Sequence, residues 1–300
     1  MSNIAIVGDG AIGLLYSQLL STDNQVTLIT RNAKPKTQYY YQRGELKQAI
    51  NVEVLNSANL DQLTAIETVI FAVKAYQVND AVAQLIPYLS SSCKLILSHN
   101  GMSDLQPILS KLHSQQALFF LITQLAGFKI ASTTVIHTGN GQSILGSCNN
   151  TAEKKADTLL QQLSAIPQIS YTGQINLIRW KKLLINIAIN PLTAHYNIKN
   201  GELAAPKYSS EVLNLLTEAC MVANAQGINI KLCDALARAY QVMTATAQNY
   251  SSMQQDITHT RPTEIDAMCG YICQQAAKLG IKTPYNQLSL DRLTDKKSAN

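Results

Sequence analysis

"NIAIVGDGAIGLLYSQLLSTDNQVTLIT", residues 3–30, sets a β-rich run, a helix-forming run and a second β-rich run in close succession. "NIAIV" (3–7) and "QVTLIT" (25–30) read as strands, and "GLLYSQLL" (13–20) has helical spacing. Between the first strand and the helix stands "GDGAIG": Gly8, Asp9, Gly10, Ala11, Ile12 and Gly13. G-x-G-x-x-G alone is a weak signal, because glycines cluster in many turns. A strand before it, a helix opened by it and a second strand beyond it are the context that a dinucleotide fingerprint requires. The chemistry asks for a tight turn at Gly8, backbone approach to a pyrophosphate at Gly10, and close helix–strand packing at Gly13. The helix N-terminus then offers its unpaired N–H groups and its dipole to the phosphates.

The second strand ends at Thr30, where a site for NAD would place an acid against the ribose hydroxyls. "TRNAKPK" follows instead, with Arg31, Lys34 and Lys36. A carboxylate would repel a 2′-phosphate, whereas a guanidinium grips one bidentately. The expected cofactor is therefore NADP(H), with Arg31 on the phosphate; Lys34 and Lys36 fit a solvated basic loop better. Further on, "ETVIFAVK" (67–74), "QVNDAVAQLIPYL" (77–89), "KLILSH" (94–99), "SDLQPILSKL" (103–112) and "ALFFLIT" (117–123) keep alternating strand and helix. That alternation argues for a parallel sheet covered on both faces. "YYYQRGELKQAINVEVL" (39–55) breaks the rhythm as a hairpin insertion, and "TTVIHTGNGQSILG" (133–146) reads as an antiparallel strand–turn–strand at the sheet edge. Open α/β sheets bind ligands at the carboxyl ends of their strands, which adds Lys74 and Asn100 as candidates.

After about residue 170 only helical periodicity remains, with Gly227 and Gly280 where helix C-caps are expected. The chain thus divides into an α/β dinucleotide-binding domain, 1–170, and an all-helical domain, 171–300, with a site expected to draw on both. Charged residues make up only 14% of the chain and the net charge of +5 is scattered. No Lys/Arg block marks a nucleic-acid partner. The six cysteines form no pair of CxxC motifs, which argues against structural zinc and for free thiols in a reducing compartment. The N-terminus lacks a signal peptide and no apolar run is long enough to span a bilayer, so a cytoplasmic protein without membrane association is expected.

In the helical half, "RWKKLLINIAINPLTAHYNIKNGEL" (179–203) carries Lys182, Asn186 and Asn190 four residues apart, followed by Asn200. Three positions at that spacing drift only about 80° around a helix and share a face. Asn190 precedes Pro191, which disfavours the helical region there and suggests a kink. Such a row is either a solvated edge or a polar site in an apolar wall. A lysine shielded beside a nicotinamide can give a proton to the alkoxide left by hydride addition to a keto carbon.

Taken with "VKAYQVNDA", "HNGM", "VIHTGNGQSILG", "SSMQQDI" and "TEIDAMCG", these segments resemble the ketopantoate reductase family over nearly the whole chain. The resemblance implies a Rossmann domain followed by an all-α domain similar to that of 6-phosphogluconate dehydrogenase. It also implies NADPH-dependent reduction of ketopantoate on the route to pantothenate and coenzyme A, by a monomer or homodimer. By the same resemblance Lys182 is the proton donor, oriented by Asn186, with Asn190 and Asn200 lining the pocket. Ser252 and Asn100 would hold substrate oxygens. Glu264 would serve both substrate and cofactor, beside Lys74 and the glycine loop. "TEID" also fits a plain helix cap, with Thr263 as the cap and Asp266 in the first turn. Glu218 matches a further acidic position of the family. Two residues depart from the pattern: Cys269 stands in place of an Asn, and Tyr76 in place of a Trp.

Overall fold

The computed structural model describes residues 1–31, 37–58 and 60–298. Lys34 and Lys36 lie outside them. Two compact units emerge: residues 1–99 with 104–175, and residues 100–103 with 176–300.

The first unit is built on an eight-stranded sheet. Its strands are β1 (Asn3–Val7), β2 (Gln25–Thr30), β5 (Glu53–Asn56), β6 (Thr68–Phe71), β7 (Lys94–Leu97), β8 (Ala117–Thr123), β11 (Ser143–Ser147) and β12 (Ile169–Thr172). The spatial order is β12-β11-β8-β7-β6-β1-β2-β5. From β8 to β5 every pairing is parallel, while β11 runs antiparallel to β8. β6 and nearly all of β7 and β8 are buried, as expected of parallel strands covered on both faces. A second, four-stranded sheet contains β3 (Tyr40–Arg43), β4 (Leu46–Ala49), β9 (Ala126–Ala131) and β10 (Thr134–Gly139), in the order β4-β3-β10-β9. It packs on α1 (Ala11–Leu20), and Leu14, Leu15 and Tyr16 share one core with Tyr39, Tyr41 and Val135. Helices α2 (Val78–Leu85), α3 (Gln106–Leu109) and α4 (Asn150–Gln162) complete the unit.

The segment 39–55 does contain a hairpin, β3–β4, but β5 leaves it to extend the main sheet. The pair expected at 133–146 is not a hairpin. β10 joins the small sheet and β11 the large one. The alternation of apolar residues marks both as strands, and nothing local says that they part company. The last strand, β12, carries the α/β unit on to Ile175.

The second unit is helical: α5 (Ile175–Tyr196), α6 (Ser209–Ala225), α7 (Leu232–Ala245), α8 (Ser252–Thr258), α9 (Cys269–Leu279) and α10 (Pro284–Ser298). Trp180, Leu183, Ile187, Leu216 and Ile272 are among its fully buried residues. Gly280 caps α9 in the left-handed conformation at φ 68°, and Gly227 adopts φ 79° just past α6. Pro191 neither ends α5 nor starts a loop; the helix continues to Tyr196.

Glu218, on α6, is buried and has a structural task. Its carboxylate accepts the backbone N–H groups of Tyr285 (2.9 Å) and Asn286 (2.8 Å) and the Asn286 side-chain amide (2.8 Å). Three donors at the start of α10 therefore depend on one acid, placed where the helix dipole favours negative charge. Glu218→Ala should destabilise the chain by about 2–4 kcal/mol, because it strands buried donors. Urea unfolding would measure this, and a loss within error of zero would contradict the capping role.

Candidate active site

In the first unit the glycine loop has the expected form. Gly8 turns at φ +108°, and a Cβ there would lie 2.7 Å from the Ala72 carbonyl oxygen. A Cβ on Gly13 would sit 2.0 Å from the Gly8 oxygen, so helix and strand touch through glycine. Gly10 differs. Its Cβ would meet nothing closer than the Ala72 oxygen at 4.0 Å. Among the described residues no contact requires glycine at position 10, which leaves room for a group approaching from outside the chain. Gly10 also serves as the N-cap residue of α1, whose first turn contains no acid.

Two residues that sequence reasoning missed hold this loop. Lys129 Nζ, on β9, donates to the Asp9 carbonyl oxygen at 2.9 Å and lies 3.5 Å from Asp9 Oδ2. The Tyr39 hydroxyl donates to Asp9 Oδ2 at 3.4 Å. The only signal in the sequence was a single lysine within the apolar strand "AGFKIA". Arg31 is exposed directly after β2, and its carbonyl accepts from Asn56 Nδ2 at 3.4 Å. Lys74 follows β6 and is partly buried, its backbone N–H directed at Gln77 Oε1. Tyr76, the aromatic departure, is exposed.

The second unit gathers the other candidates. On α5, Lys181 is exposed, Lys182 and Asn186 are partly buried, and Asn190 is buried. Trp180, Leu183, Leu184 and Ile187 anchor the opposite faces in the helical core. Burial pulls the Lys182 pKa down to about 8, and the negative charge of Glu264 opposes that fall. Glu264 is itself buried, at the start of a 3-10 turn, Ile265–Ala267. Asn190 Nδ2 points to Met268 Sδ at 3.8 Å, at the other end of the same turn.

The loop after β7 reaches this turn as well. The Met102 N–H donates to the Ala267 carbonyl at 2.7 Å. Gly101 adopts φ +77°, and a Cβ on it would come within 2.5 Å of that same oxygen. Asn100, expected on the cofactor side, thus groups with the helical unit. One turn beyond Asn190, Thr193 Oγ1 donates to Ser251 Oγ at 2.7 Å. Ser251 is the N-cap of α8 and accepts the Gln254 N–H, while Ser252 beside it is exposed. Asn200 is buried; its amide donates to Thr246 Oγ1, and its Oδ1 has no partner among the described residues.

The plain capping interpretation of "TEID" does not hold. Thr263 Oγ1 is buried without a hydrogen-bond partner among the described residues, and the following α-helix begins only at Cys269. Asp266 is exposed within the 3-10 turn. Cys269 is wholly buried in the helical core, which pushes its thiol pKa up.

The family described as "Ketopantoate reductase PanE/ApbA" matches residues 4–150, and its C-terminal domain matches residues 174–297. The chain belongs to the ketopantoate reductase family. A 2-dehydropantoate 2-reductase of Vibrio cholerae serotype O1 is 35% identical over 95% of this chain and 94% of its own length. That of Yersinia pestis is 30% identical over 98% and 95%. Among solved structures, a probable 2-dehydropantoate 2-reductase from Bacillus subtilis superposes with a TM-score of 0.83 at 24% identity, covering 98% of this chain and 99% of that one. A D-mandelate dehydrogenase solved with NADH and anilino(oxo)acetate gives 0.91 at 20% identity, with 99% of each chain covered. These structural likenesses show the fold: a Rossmann-type α/β domain followed by an all-α domain. The family is one of oxidoreductases. Among the described residues no helix is long and apolar enough to cross a membrane, and no three His, Cys, Asp or Glu residues form a metal-binding group.

The electrostatics at Lys182 are directly measurable. Its amine should titrate near pH 8, whereas ordinary lysines titrate above 10. Because Glu264 favours the charged amine, Glu264→Gln should move that titration to lower pH. NMR of labelled lysine side chains reads both values. A Lys182 that titrates with the bulk lysines, or one unmoved by Glu264→Gln, would contradict this electrostatic picture.

Proposed function

We propose that the chain reduces 2-dehydropantoate to (R)-pantoate with NADPH, which places it on the cytoplasmic route to pantothenate and coenzyme A. The observation that carries this reading is Lys182: a partly buried amine with its pKa pulled to about 8, beside buried Glu264 and in register with Asn186 and Asn190. Family membership and the Vibrio cholerae relative support the substrate.

NADPH, when bound, supplies the hydride. The main chain of Gly8, Asp9, Gly10, Ala11, Ile12 and Gly13 would hold its pyrophosphate, and the open side of Gly10 fits that task. Arg31, in place of an acid after Thr30, favours the 2′-phosphate; Lys74, Asn100 and Glu264 complete the cofactor contacts. Lys182 Nζ gives its proton to the oxygen of the former keto group and stabilises the negative charge that develops there. Asn186 orients the amine, and Glu264 keeps it charged. Asn100, Asn190, Asn200 and Ser252 bind substrate oxygens, and the unpartnered Asn200 Oδ1 is an acceptor suited to a substrate hydroxyl.

A second reading keeps the mechanism and changes the 2-keto acid, as the departure at Tyr76 allows. NADPH oxidation with a panel of 2-keto acids tests both. Ketopantoate should have the highest kcat/KM, and a clear preference for another acid would replace the first reading with the second. Lys182→Ala should lower kcat by roughly 10²–10⁴-fold, while exposed Lys181→Ala should leave it near the unmodified rate. Collapse of the Lys181 variant instead would overturn the assigned register. Because the proton donor must be protonated, reduction should also slow as pH rises through about 8. For the cofactor, NADPH should bind more tightly than NADH, and Arg31→Ala should erase most of the difference, about 1.5–3 kcal/mol. Equal affinities in the unmodified chain would refute NADP preference.

A further inference from the structure

The glycine loop contains an acid where a doubly charged pyrophosphate is to bind. Asp9 lies between Gly8 and Gly10, and its carboxylate would repel the phosphates through the short distances of the loop. The small sheet answers that charge. Lys129 projects from β9 on the side opposite Phe128 and Ile130, which are both exposed, and reaches both the carbonyl and the carboxylate of Asp9. Tyr39, directly before β3, donates to the same carboxylate. Burial and the Asp9 charge push the Tyr39 pKa up, so its phenol remains a donor at neutral pH.

The contact to the carbonyl has a geometric consequence. No cis peptide occurs among the described residues, so the Asp9–Gly10 unit is trans, and its C=O and N–H point in opposite directions. Fixing the Asp9 oxygen on Lys129 aims the Gly10 N–H the other way. Of the three glycines of the motif, Gly10 is the one whose Cβ position meets no described atom closer than 4.0 Å.

We propose that Lys129, with Tyr39, is a positioning residue for dinucleotide binding, neutralising Asp9 and orienting the Asp9–Gly10 peptide toward the pyrophosphate. The inference rests on the reading that this loop holds NADPH. It assigns a task to the small sheet, whose strands β3 and β9 also pack on α1. The pyrophosphate is common to NADPH and NADH, so Lys129 should matter equally for both, whereas Arg31 should matter for NADPH alone.

The test is dissociation constants for NADPH and NADH, read by calorimetry, for Lys129→Met, Asp9→Asn and the double variant. Lys129→Met should weaken both cofactors by about fivefold at low ionic strength, the upper range for a partly exposed ion pair. Adding Asp9→Asn should recover most of that loss, because the uncompensated charge is gone. The gap between Lys129→Met and the double variant should narrow with added salt, a dependence that a purely structural lysine would not produce. Asp9→Asn alone should bind at least as tightly as the unmodified chain. If Lys129→Met does not fold, Asp9→Asn alone decides, and a severalfold loss of affinity in Asp9→Asn overturns the proposal. Unchanged binding by Lys129→Met, a double variant no better than Lys129→Met, or a loss confined to NADPH would overturn it too. An unmodified chain that binds neither cofactor would instead refute the cofactor assignment.

Discussion

Taking a lysine amine out of bulk water costs free energy that only nearby charge or hydrogen-bond acceptors return. At Lys182 the return is partial, since burial outweighs the attraction of Glu264 and the pKa settles near 8. The balance has a thermodynamic sign. The folded chain binds this proton less tightly than an ordinary lysine with a pKa of 10.5 would. The cost is therefore fully present below about pH 8 and fades as pH rises toward the ordinary value. In the proposed reaction that cost would serve chemistry, because a donor poised near working pH transfers protons more readily than one of pKa above 10. Much of the helical unit supports this one amine. Trp180 and Leu183 anchor α5, and the turn from Glu264 to Met268 brings the opposing charge to it.

The glycine loop obeys a different constraint, that of backbone contact. Gly8 and Gly13 are fixed by atoms of the protein itself, whereas Gly10 is not. That contrast separates what the fold needs from what a ligand needs within one six-residue motif. Spacing alone could not make the distinction, because three glycines look alike in a sequence.

Legibility followed the range of the interactions. Strands β1, β2, β6, β7 and β8, buried and parallel, announced themselves through local apolar runs, and the face shared by Lys182, Asn186 and Asn190 through helical geometry. Long-range pairings stayed hidden. Nothing in "TTVIHTGNGQSILG" indicates that its two strands enter different sheets, since each pairs with a segment elsewhere in the chain. The hold of Lys129 on Asp9 spans 120 positions and was invisible for the same reason. Ser251 and Ser252 were indistinguishable by residue type; one is buried as a cap and the other is exposed. Pro191 lies inside helix α5. Helix α5 continues past it to Tyr196, with Thr193 Oγ1 lying 2.8 Å from the Ile189 carbonyl oxygen and 3.1 Å from that of Asn190.

Cys269 shows why a departure from a family pattern need not disturb a site. A cysteine is a poor hydrogen-bonding substitute for asparagine, so the turn from Glu264 to Met268 would be at risk if a side chain at 269 held it. Backbone bonds hold it instead. Ala267 N–H donates to the Glu264 carbonyl, Met268 N–H to that of Ile265, and Met102 N–H closes on Ala267 from the loop after β7. Burial pushes the Cys269 thiol pKa up, so the side chain packs as a small neutral group in the helical core. The charge at Glu264 that acts on Lys182 is thus placed by main-chain geometry, and that geometry does not depend on the identity of residue 269.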